Sequence, residues 1–241
     1  AWGSWKAELV ADLVRRASHV LGGGDVAAVS FAPVATDLQR ELLERCAEEG
    51  GPVLSVLHDR LTVVAADRHG LFSRVAGVLA LHGLDVVEAA ARNEGGLVLD
   101  EFRVVPTFGA APRWDDVGSD IERALRGRLA TDARLADRER SYRRRRVSAR
   151  GLDPSVRVLS DASEDSTVVE VVGPDSLGLL YRLTRALADL DLDIVSAKAV
   201  TMATDVVDAF YVRTGDGGKL TNPADIAEVR AALLHAMTAR G

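Results

Sequence analysis

Apolar residues along the chain change between the spacing typical of strands and the spacing typical of helices. β-Branched runs at residues 61–66 and 167–172 are each followed by a short turn that ends in glycine. Apolar residues then recur every three or four positions, which predicts an amphipathic helix after each turn. Pairs of alternating runs follow, and each pair predicts a β-hairpin. These runs lie at residues 84–93 with 97–105 and at residues 191–202 with 206–212.

Turn and terminus signals mark the ends of these elements. Gly83 follows the first helix, at a position that favours a residue tolerant of positive φ. The turn at residues 93–96 contains two glycines and predicts a tight connection within the first hairpin. A further helix is predicted to close each unit, at residues 115–139 and 224–239, and Pro223 suits the start of the latter.

The whole pattern occurs twice in one register. The turn Asp-x-x-Gly-Leu occurs at residues 67–71 and again at residues 175–179, an offset of 175 − 67 = 108. A self-similarity held over about forty residues predicts two copies of one supersecondary unit. The same offset aligns strand and helix positions: Val63 with Val171, Leu79 with Leu187, Asp85 with Asp193, Asp100 with Asp208, and Phe102 with Phe210.

Each unit is one strand short of a ferredoxin-like βαββαβ sandwich. Apolar runs at residues 52–56 and 154–159 precede the two units and can supply the missing strands. The second run could complete the first unit in sequence order, and the first run could then complete the second unit. Such a strand swap would join the units into one pseudo-dimer. The expected fold class is α+β: two ferredoxin-like βαββαβ domains in tandem, with antiparallel sheets, preceded by a short helical segment.

The expected domain boundaries follow from these elements. Residues 1–50 resemble the end of a preceding helical domain plus a connector, with helices at 5–21 and 37–49 and Thr36 as the N-cap of the second. The first domain is expected at 51–141, an arginine-rich linker at 142–153, and the second domain at 154–241. The arginines at residues 143–146 could bind an anion or nucleic acid, but a solvated linker is the favoured interpretation.

Composition narrows the functional classes. The chain has 241 residues, a net charge of −6 and one cysteine, Cys46. An acidic balance disfavours bulk attraction to nucleic acid or to an anionic membrane. A single cysteine gives no disulfide framework and no thiolate metal site. With neither a signal peptide nor an apolar stretch of about 18 residues, a cytoplasmic location is expected.

The Asp-x-x-Gly-Leu turns are the candidate ligand-binding elements. Glycine lets a backbone approach a ligand closely, and the following helix N-terminus offers free N–H groups to a carboxylate. An ammonium group would then meet an aspartate of the turn or a carbonyl of the next strand. The alternative is that both turns only start helices. The candidate residues are Asp67, His69, Gly70, Leu71, Phe72, Asp85, Val86, Val87, Asp175, Leu177, Gly178, Leu179, Leu180, Asp193, Ile194 and Val195.

These motifs carry a family resemblance. The turn, the amphipathic helix, the Asp-(Ile/Val)-Val strand start and the later Asp-x-Phe-x-Val pattern resemble the ACT domain family. The start at residues 1–6 and the segment 208–212 resemble the C-terminal part of the bifunctional PII-protein uridylyltransferase/uridylyl-removing enzymes. His69 and Leu177 stand where the family pattern commonly has proline. The resemblance implies that the tandem units sense glutamine or another small amino acid and report nitrogen status.

The resemblance also sets expectations about chemistry and partners. No catalytic or metal site is expected in this chain, and the pair His58-Asp59 is interpreted as a loop. No cofactor is expected here, whereas magnesium is expected for the catalytic domain of a parent enzyme. The PII signalling protein is the implied partner, through that parent. Transfer of UMP or of AMP and the formation of a homodimer are left open. The unit that binds ligand is also left open, but the second unit is favoured because its motif lies closer to the family pattern.

Two other functional classes remain as alternatives. The chain could be a free-standing tandem ACT regulatory protein, or the ACT region of another enzyme of amino-acid metabolism. An RNA-binding module with the same element order would stack bases on aromatic side chains of its central strands. The strands offer only Phe102, Phe210 and Tyr211 for such stacking, and the net charge of −6 is unfavourable.

Overall fold

A computed structural model describes residues 36–107, 111–142, 152–202 and 205–238. The chain divides into two compact units, residues 1–41 and residues 42–241, and the sheet and clefts below lie in the second. The predicted helix at 5–21 and the arginines at 143–146 lie outside the described residues. The described elements are α1 (Asp37–Glu49), β1 (Val53–Leu57), β2 (Arg60–Ala66), α2 (Leu71–Leu81), β3 (Leu84–Glu94), β4 (Leu97–Pro106), α3 (Trp114–Leu125), α4 (Thr131–Tyr142), β5 (Ser155–Leu159), β6 (Thr167–Pro174), α5 (Leu179–Asp189), β7 (Leu192–Met202), β8 (Asp205–Thr214) and α6 (Pro223–Thr238).

One eight-stranded antiparallel sheet runs through both copies of the repeat. Its strand order is β1-β2-β4-β3-β7-β8-β6-β5. We call β1 to α3 the first repeat and β5 to α6 the second repeat. They join where β3 pairs with β7 through Glu88 opposite Val200 and Ala89 opposite Ala199. The predicted fold class, α+β with two ferredoxin-like units and antiparallel strands, is confirmed.

The strand swap that the sequence left open does not occur. β1 pairs with β2 of its own repeat and β5 pairs with β6 of its own repeat, both antiparallel. In the first hairpin Leu57 lies opposite Arg60, so the turn has only two residues, and His58 adopts a φ of 58° within it. A short loop closes at a smaller entropic cost than a long connection, which favours this local pairing. The edge strand of each repeat therefore enters from the N-terminal side.

The single helix predicted at 115–139 is two helices. α3 ends at Leu125 and α4 begins at Thr131. Gly127 lies between them with a φ of 68°, and its N–H donates to the carbonyl of Ala124 at 2.9 Å. This left-handed glycine ends α3, as a glycine with positive φ commonly does at a helix C-terminus.

The predicted glycine turn after β3 is confirmed, because Gly95 and its neighbour both have positive φ. The turn between β7 and β8, at 203–204, lies outside the described residues.

The main core lies between the sheet and the helices on one of its faces. Phe102 is fully buried there, and its ring centroid lies 4.9 Å from that of Phe72. Gly77 permits close helix packing, because a Cβ at this position would lie 2.6 Å from Thr131 Cγ2 and 2.9 Å from Tyr181 Cδ2. The packing of α2 against α4 and α5 therefore depends on a missing side chain.

A smaller core lies on the opposite face of the first repeat. Leu42 and Cys46 of α1 pack there with Val53, Val64 and Leu99 of the sheet. Burial, followed by the nearby carboxylate of α1, raises the pKa of the Cys46 thiol. Cys46 is thus a packed side chain, as the sequence indicates.

The predicted N-cap of α1 is confirmed. Gln39 N–H donates to Thr36 Oγ1 at 3.3 Å, and Thr36 N–H donates to Gln39 Oε1 at 2.9 Å. This reciprocal pair is a capping box, which satisfies donors at the helix start.

Candidate functional site

Two clefts lie between the repeats, and the offset of 108 residues relates them. Each cleft combines the Asp-x-x-Gly turn of one repeat with the start of the third strand of the other repeat, β7 in the first cleft and β3 in the second. The first cleft is lined by Asp67, Arg68, Gly70, Leu71, Phe72, Ser73, Asn93, Val98, Asp100, Thr184, Ala188, Leu192, Asp193, Ile194, Val195, Arg213, Thr214, Gly215 and Gly217. The second is lined by Ala76, Ala80, Leu84, Asp85, Val86, Asp175, Ser176, Leu177, Gly178, Leu179, Leu180, Tyr181, Ala199, Val206 and Asp208.

The candidate residues from the sequence fall into these clefts with two exceptions. Seven of them line the first cleft and seven line the second. His69 is not part of the lining, although it lies at the same place and contacts Asp193. Val87 lines neither cleft, and it lies at a β-bulge where the register of β3 shifts between Val86 and Glu88. The structure therefore places the predicted residues in two groups, and each group combines a turn of one repeat with a strand of the other.

The two clefts differ in size. The first has a volume of about 200 Å³ and the second a volume of about 40 Å³. A cavity needs about 10–15 Å³ to hold one water. The second cleft therefore has room for only a few waters, whereas the first can hold a small organic molecule.

The glycine turns have nearly the same backbone geometry. Gly70 has φ 73° and ψ 15°, and Gly178 has φ 69° and ψ 17°. In the first turn Leu71 N–H donates back to the carbonyl of Arg68 at 3.0 Å. The next two N–H groups, of Phe72 and Ser73, belong to the first turn of α2 and have no acceptor within the helix. They give the first cleft a donor-rich, electropositive end.

Contacts at the mouth of the first cleft connect the two repeats. His69 Nδ1 lies 3.3 Å from Asp193 Oδ1, and His69 Nε2 contacts the carbonyl oxygen of Ala188. On the other side of the turn, Asn93 Nδ2 donates to Asp67 Oδ2. The turn of the first repeat is therefore held against α5 and β7 of the second repeat.

Asp100 is the most unusual group in the wall of the first cleft. It is 0% exposed, and among the described residues neither of its carboxylate oxygens has a hydrogen-bond partner. Burial, followed by the neighbouring Asp67 carboxylate, raises the pKa of Asp100 well above its usual range. A buried carboxylate without a partner is costly, so its position here points to a missing cationic or hydrogen-bonding group.

Helix α4 and its partners occupy the space around the second turn. A Cβ at Gly178 would lie 3.5 Å from Leu135 Cδ1 of α4. Tyr181 Oη donates to Asp132 Oδ1 of the same helix at 2.7 Å, and burial together with this bond raises the pKa of Tyr181 to about 12. Arg182 holds the turn itself, because its Nη1 donates to the carbonyl of Leu177 at 2.7 Å. The second turn is thus packed and braced by protein groups.

Comparisons with known proteins agree with this architecture at the level of family. No family model matches the chain. The bifunctional uridylyltransferase/uridylyl-removing enzyme of Streptomyces coelicolor is 35% identical over 94% of this chain and 32% of its own length. The enzyme of the same name from Azospirillum brasilense is 30% identical over 98% of this chain and 30% of its own length. A third, from Caulobacter vibrioides, is 38% identical over 73% of this chain and 19% of its own length.

This chain is homologous to part of the bifunctional uridylyltransferase/uridylyl-removing enzymes. The resemblance found in the sequence is thereby confirmed. The chain spans about a third of the length of the first two of these relatives. Activities that belong to a whole uridylyltransferase/uridylyl-removing enzyme therefore enter below as proposals.

Asp100 of this uridylyltransferase/uridylyl-removing homologue lines the first cleft but is not among the candidate residues predicted from the sequence. In the sequence Asp100 is part of the repeat, and its position in the strand carries a further signal. In the alternating run of β4, Asp100 occupies an inward position between Val98 and Phe102. Aspartate is almost never fully buried unless it is paired, so an aspartate at an inward strand position indicates an unusual site.

Within the described ranges, no group of three or more His, Cys, Asp or Glu side chains could hold a metal ion. Among the helices that the structure describes, none combines the length and the apolar character needed to cross a bilayer.

Proposed function

We propose that this chain is the amino-acid-sensing regulatory part of a PII-protein uridylyltransferase/uridylyl-removing enzyme, and that its ligand is glutamine. The observation that carries the proposal is the first cleft, a cavity of about 200 Å³ between the turn before α2 and the start of β7. The names of the relatives supply the enzyme class, and the ACT resemblance supplies the ligand.

The chemistry of the first cleft suits a small zwitterion. The N–H groups at the start of α2 can receive an α-carboxylate, since helix N-termini favour anions. Asp67 and Asp100 lie in the same wall and can attract an ammonium group. Val98, Ala188 and Ile194 add apolar surface for the carbon chain of an amino acid. A zwitterionic amino acid uses all three features at once.

Only the first cleft is proposed as the glutamine site. The sequence motif of the second turn lies closer to the family pattern, which favoured the second repeat at the level of sequence. The volume of about 40 Å³ and the packing of Leu135 against Gly178 favour the opposite assignment. We therefore propose that the second turn has kept its fold and serves to support α4.

The position of the first cleft suggests how binding could be reported. Its walls come from the turn of the first repeat and from α5, β7 and β8 of the second, so a bound ligand adds contacts between the repeats. A ligand that binds one arrangement of the repeats better shifts the population toward it. An attached catalytic region that senses this arrangement would then change its action on the PII protein.

Calorimetry of the full chain with a panel of amino acids tests the proposal. We expect glutamine to bind with one site per chain and to bind more tightly than glutamate, because the cleft already holds Asp67, Asp100 and Asp193. Asparagine serves as the control for side-chain length. Failure of every amino acid in the panel to bind would refute the proposal.

A further inference from the structure

We propose that Asp100 is the residue that recognises the ammonium group of the ligand, as the anionic floor of the first cleft. This inference rests on the proposed function and adds to it the group that selects an amine-bearing ligand. Three observations carry it: the place of Asp100 in the cavity wall, its complete burial, and the lack of a hydrogen-bond partner for either oxygen among the described residues.

The position of Asp100 follows from the register of the sheet. It lies opposite Val63 of β2 and Ala91 of β3, so it is in the middle of three paired strands. Its side chain shares the face of Val98 and Phe102, which is the face covered by α2. The carboxylate is thus fixed beneath the glycine turn by strands that pair on both sides. A rigid group of this kind can select a ligand by geometry.

Asp67 is a weaker candidate for the same role. It is exposed and already accepts a hydrogen bond from Asn93. Asp193 is exposed and lies 3.3 Å from His69. Asp100, in contrast, is buried, and neither of its carboxylate oxygens has a hydrogen-bond partner among the described residues. A ligand ammonium would supply the missing hydrogen-bond donor, and charge-assisted hydrogen bonds are among the stronger ones.

Binding should be coupled to a proton. Burial and the neighbouring Asp67 carboxylate favour the protonated form of Asp100, whereas a bound ammonium favours the carboxylate, so binding releases a proton wherever Asp100 carries one beforehand. The O–H bond of Asp100 breaks, the proton leaves to solvent, and the carboxylate pairs with the ammonium. The other charged groups of this cavity are Asp67 and Arg68 on the turn, Asp193 on β7 and Arg213 on β8. Arg213 is bonded to Asp165, so it does not neutralise Asp100.

The test compares Asp100→Asn with Asp208→Asn, its repeat-related counterpart in the second cleft. Two probes are titrated into the full chain by calorimetry: glutamine and its 2-oxo analogue, which keeps the carboxylate and amide but lacks the ammonium. We expect the wild type and Asp208→Asn to prefer glutamine by at least tenfold. Asp100→Asn should bind glutamine at least tenfold more weakly and should lose most of that preference.

A measurement on the wild type alone provides a second test that needs no variant. Its glutamine affinity should fall as the pH is lowered, and the binding heat should depend on the ionisation heat of the buffer. Equal glutamine affinity and equal preference in Asp100→Asn and wild type would overturn the role of Asp100 and leave the proposed function standing. Failure of the wild type to bind any amino acid would overturn both.

Discussion

Alanine substitutions at the two glycine turns give a matched pair that separates strain from binding. Gly70 and Gly178 have φ values of 73° and 69°, where a side chain costs about 1–2 kcal/mol. The added Cβ would meet Ala188 Cβ at 3.6 Å in the first turn and Leu135 Cδ1 at 3.5 Å in the second. Both distances are ordinary contacts, so no clash adds to the strain. Each variant should therefore lose about 1–2 kcal/mol of unfolding free energy.

Glutamine affinity should distinguish the two variants. A ligand atom that lies between two carbon atoms contacts both of them. The two carbons must therefore be about 7 Å apart, which is twice the usual contact distance of about 3.5 Å. The Cβ of Gly70→Ala would lie 3.6 Å from Ala188 Cβ, so it closes this part of the first cleft. Gly70→Ala should therefore bind glutamine at least tenfold more weakly, and Gly178→Ala should bind like the wild type.

The assay measures two quantities on each full-length variant. Urea unfolding without ligand gives the strain, and a calorimetric glutamine titration gives the affinity. Similar stability losses with a binding defect only in Gly70→Ala are the expected result. The reasoning is refuted if Gly178→Ala loses the affinity and Gly70→Ala keeps it, or if both variants bind like the wild type.

Three further predictions concern packing, protonation and the brace at the second turn. Gly77→Val should destabilise the chain by about 1–3 kcal/mol in urea unfolding, because its Cβ would lie 2.6 Å from Thr131 Cγ2. Asp100→Asn should raise the unfolding free energy at neutral pH, and this gain should disappear below about pH 4, where wild-type Asp100 is protonated in both states. Tyr181→Phe should cost about 0.5–1.5 kcal/mol in thermal unfolding through loss of the bond to Asp132, with no change in glutamine affinity.

The sign of the Asp100 prediction follows from its raised pKa. The folded chain holds a proton at pH values where the unfolded chain has released it, so wild-type stability falls as pH rises through that window. Asparagine does not titrate and escapes this loss. A constant stability difference between Asp100→Asn and wild type from acid to neutral pH would contradict the raised pKa.

The other two predictions have their own contradicting outcomes. Unchanged stability of Gly77→Val would show that α2 and α4 can move apart. A change in glutamine affinity with Tyr181→Phe would contradict a purely supporting role for α4.

The repeat was predictable because each level of pattern agrees with the next. The period-2 runs of β3 and β4, the glycine turn between them and the helical spacing of α2 all indicate the same unit, and the second copy has the same register. Agreement between local preference and fold is what makes a sequence interpretable in this way. The fold class was predictable for this reason, and the N-cap at Thr36 was predictable from its residue type and position.

The pairing of the edge strands was not predictable from the runs themselves. The residues of β1 carry an apolar pattern that fits either repeat, and pattern alone does not say which edge a strand joins. The two-residue turn at His58 directs β1 to pair with β2, and in this turn a residue other than glycine adopts a positive φ. The break before α4 was missed similarly, because Gly127 lies within a run whose spacing continues on both sides.

The candidate site was predictable as two turns and two strands, but not as one favoured cleft. The crossing of the turn of one repeat with the strand of the other depends on the pairing of β3 with β7, a long-range contact. The packing around the second turn involves Leu135 of α4 and Tyr181 of α5, two helices that no motif connects. The burial of Asp100 and its lack of a hydrogen-bond partner could not be predicted from the sequence, because both are properties of the folded molecule.

The most direct test of glutamine sensing at the first cleft is an amide-shift titration of the full chain by NMR. With glutamine added, we predict that the largest shifts fall on the first turn at residues 68–73 and on the start of β7 at 192–195. The second turn at 175–181 should shift little and serves as the internal control. Shifts concentrated on the second turn, or none on either turn at saturating glutamine, would contradict the account.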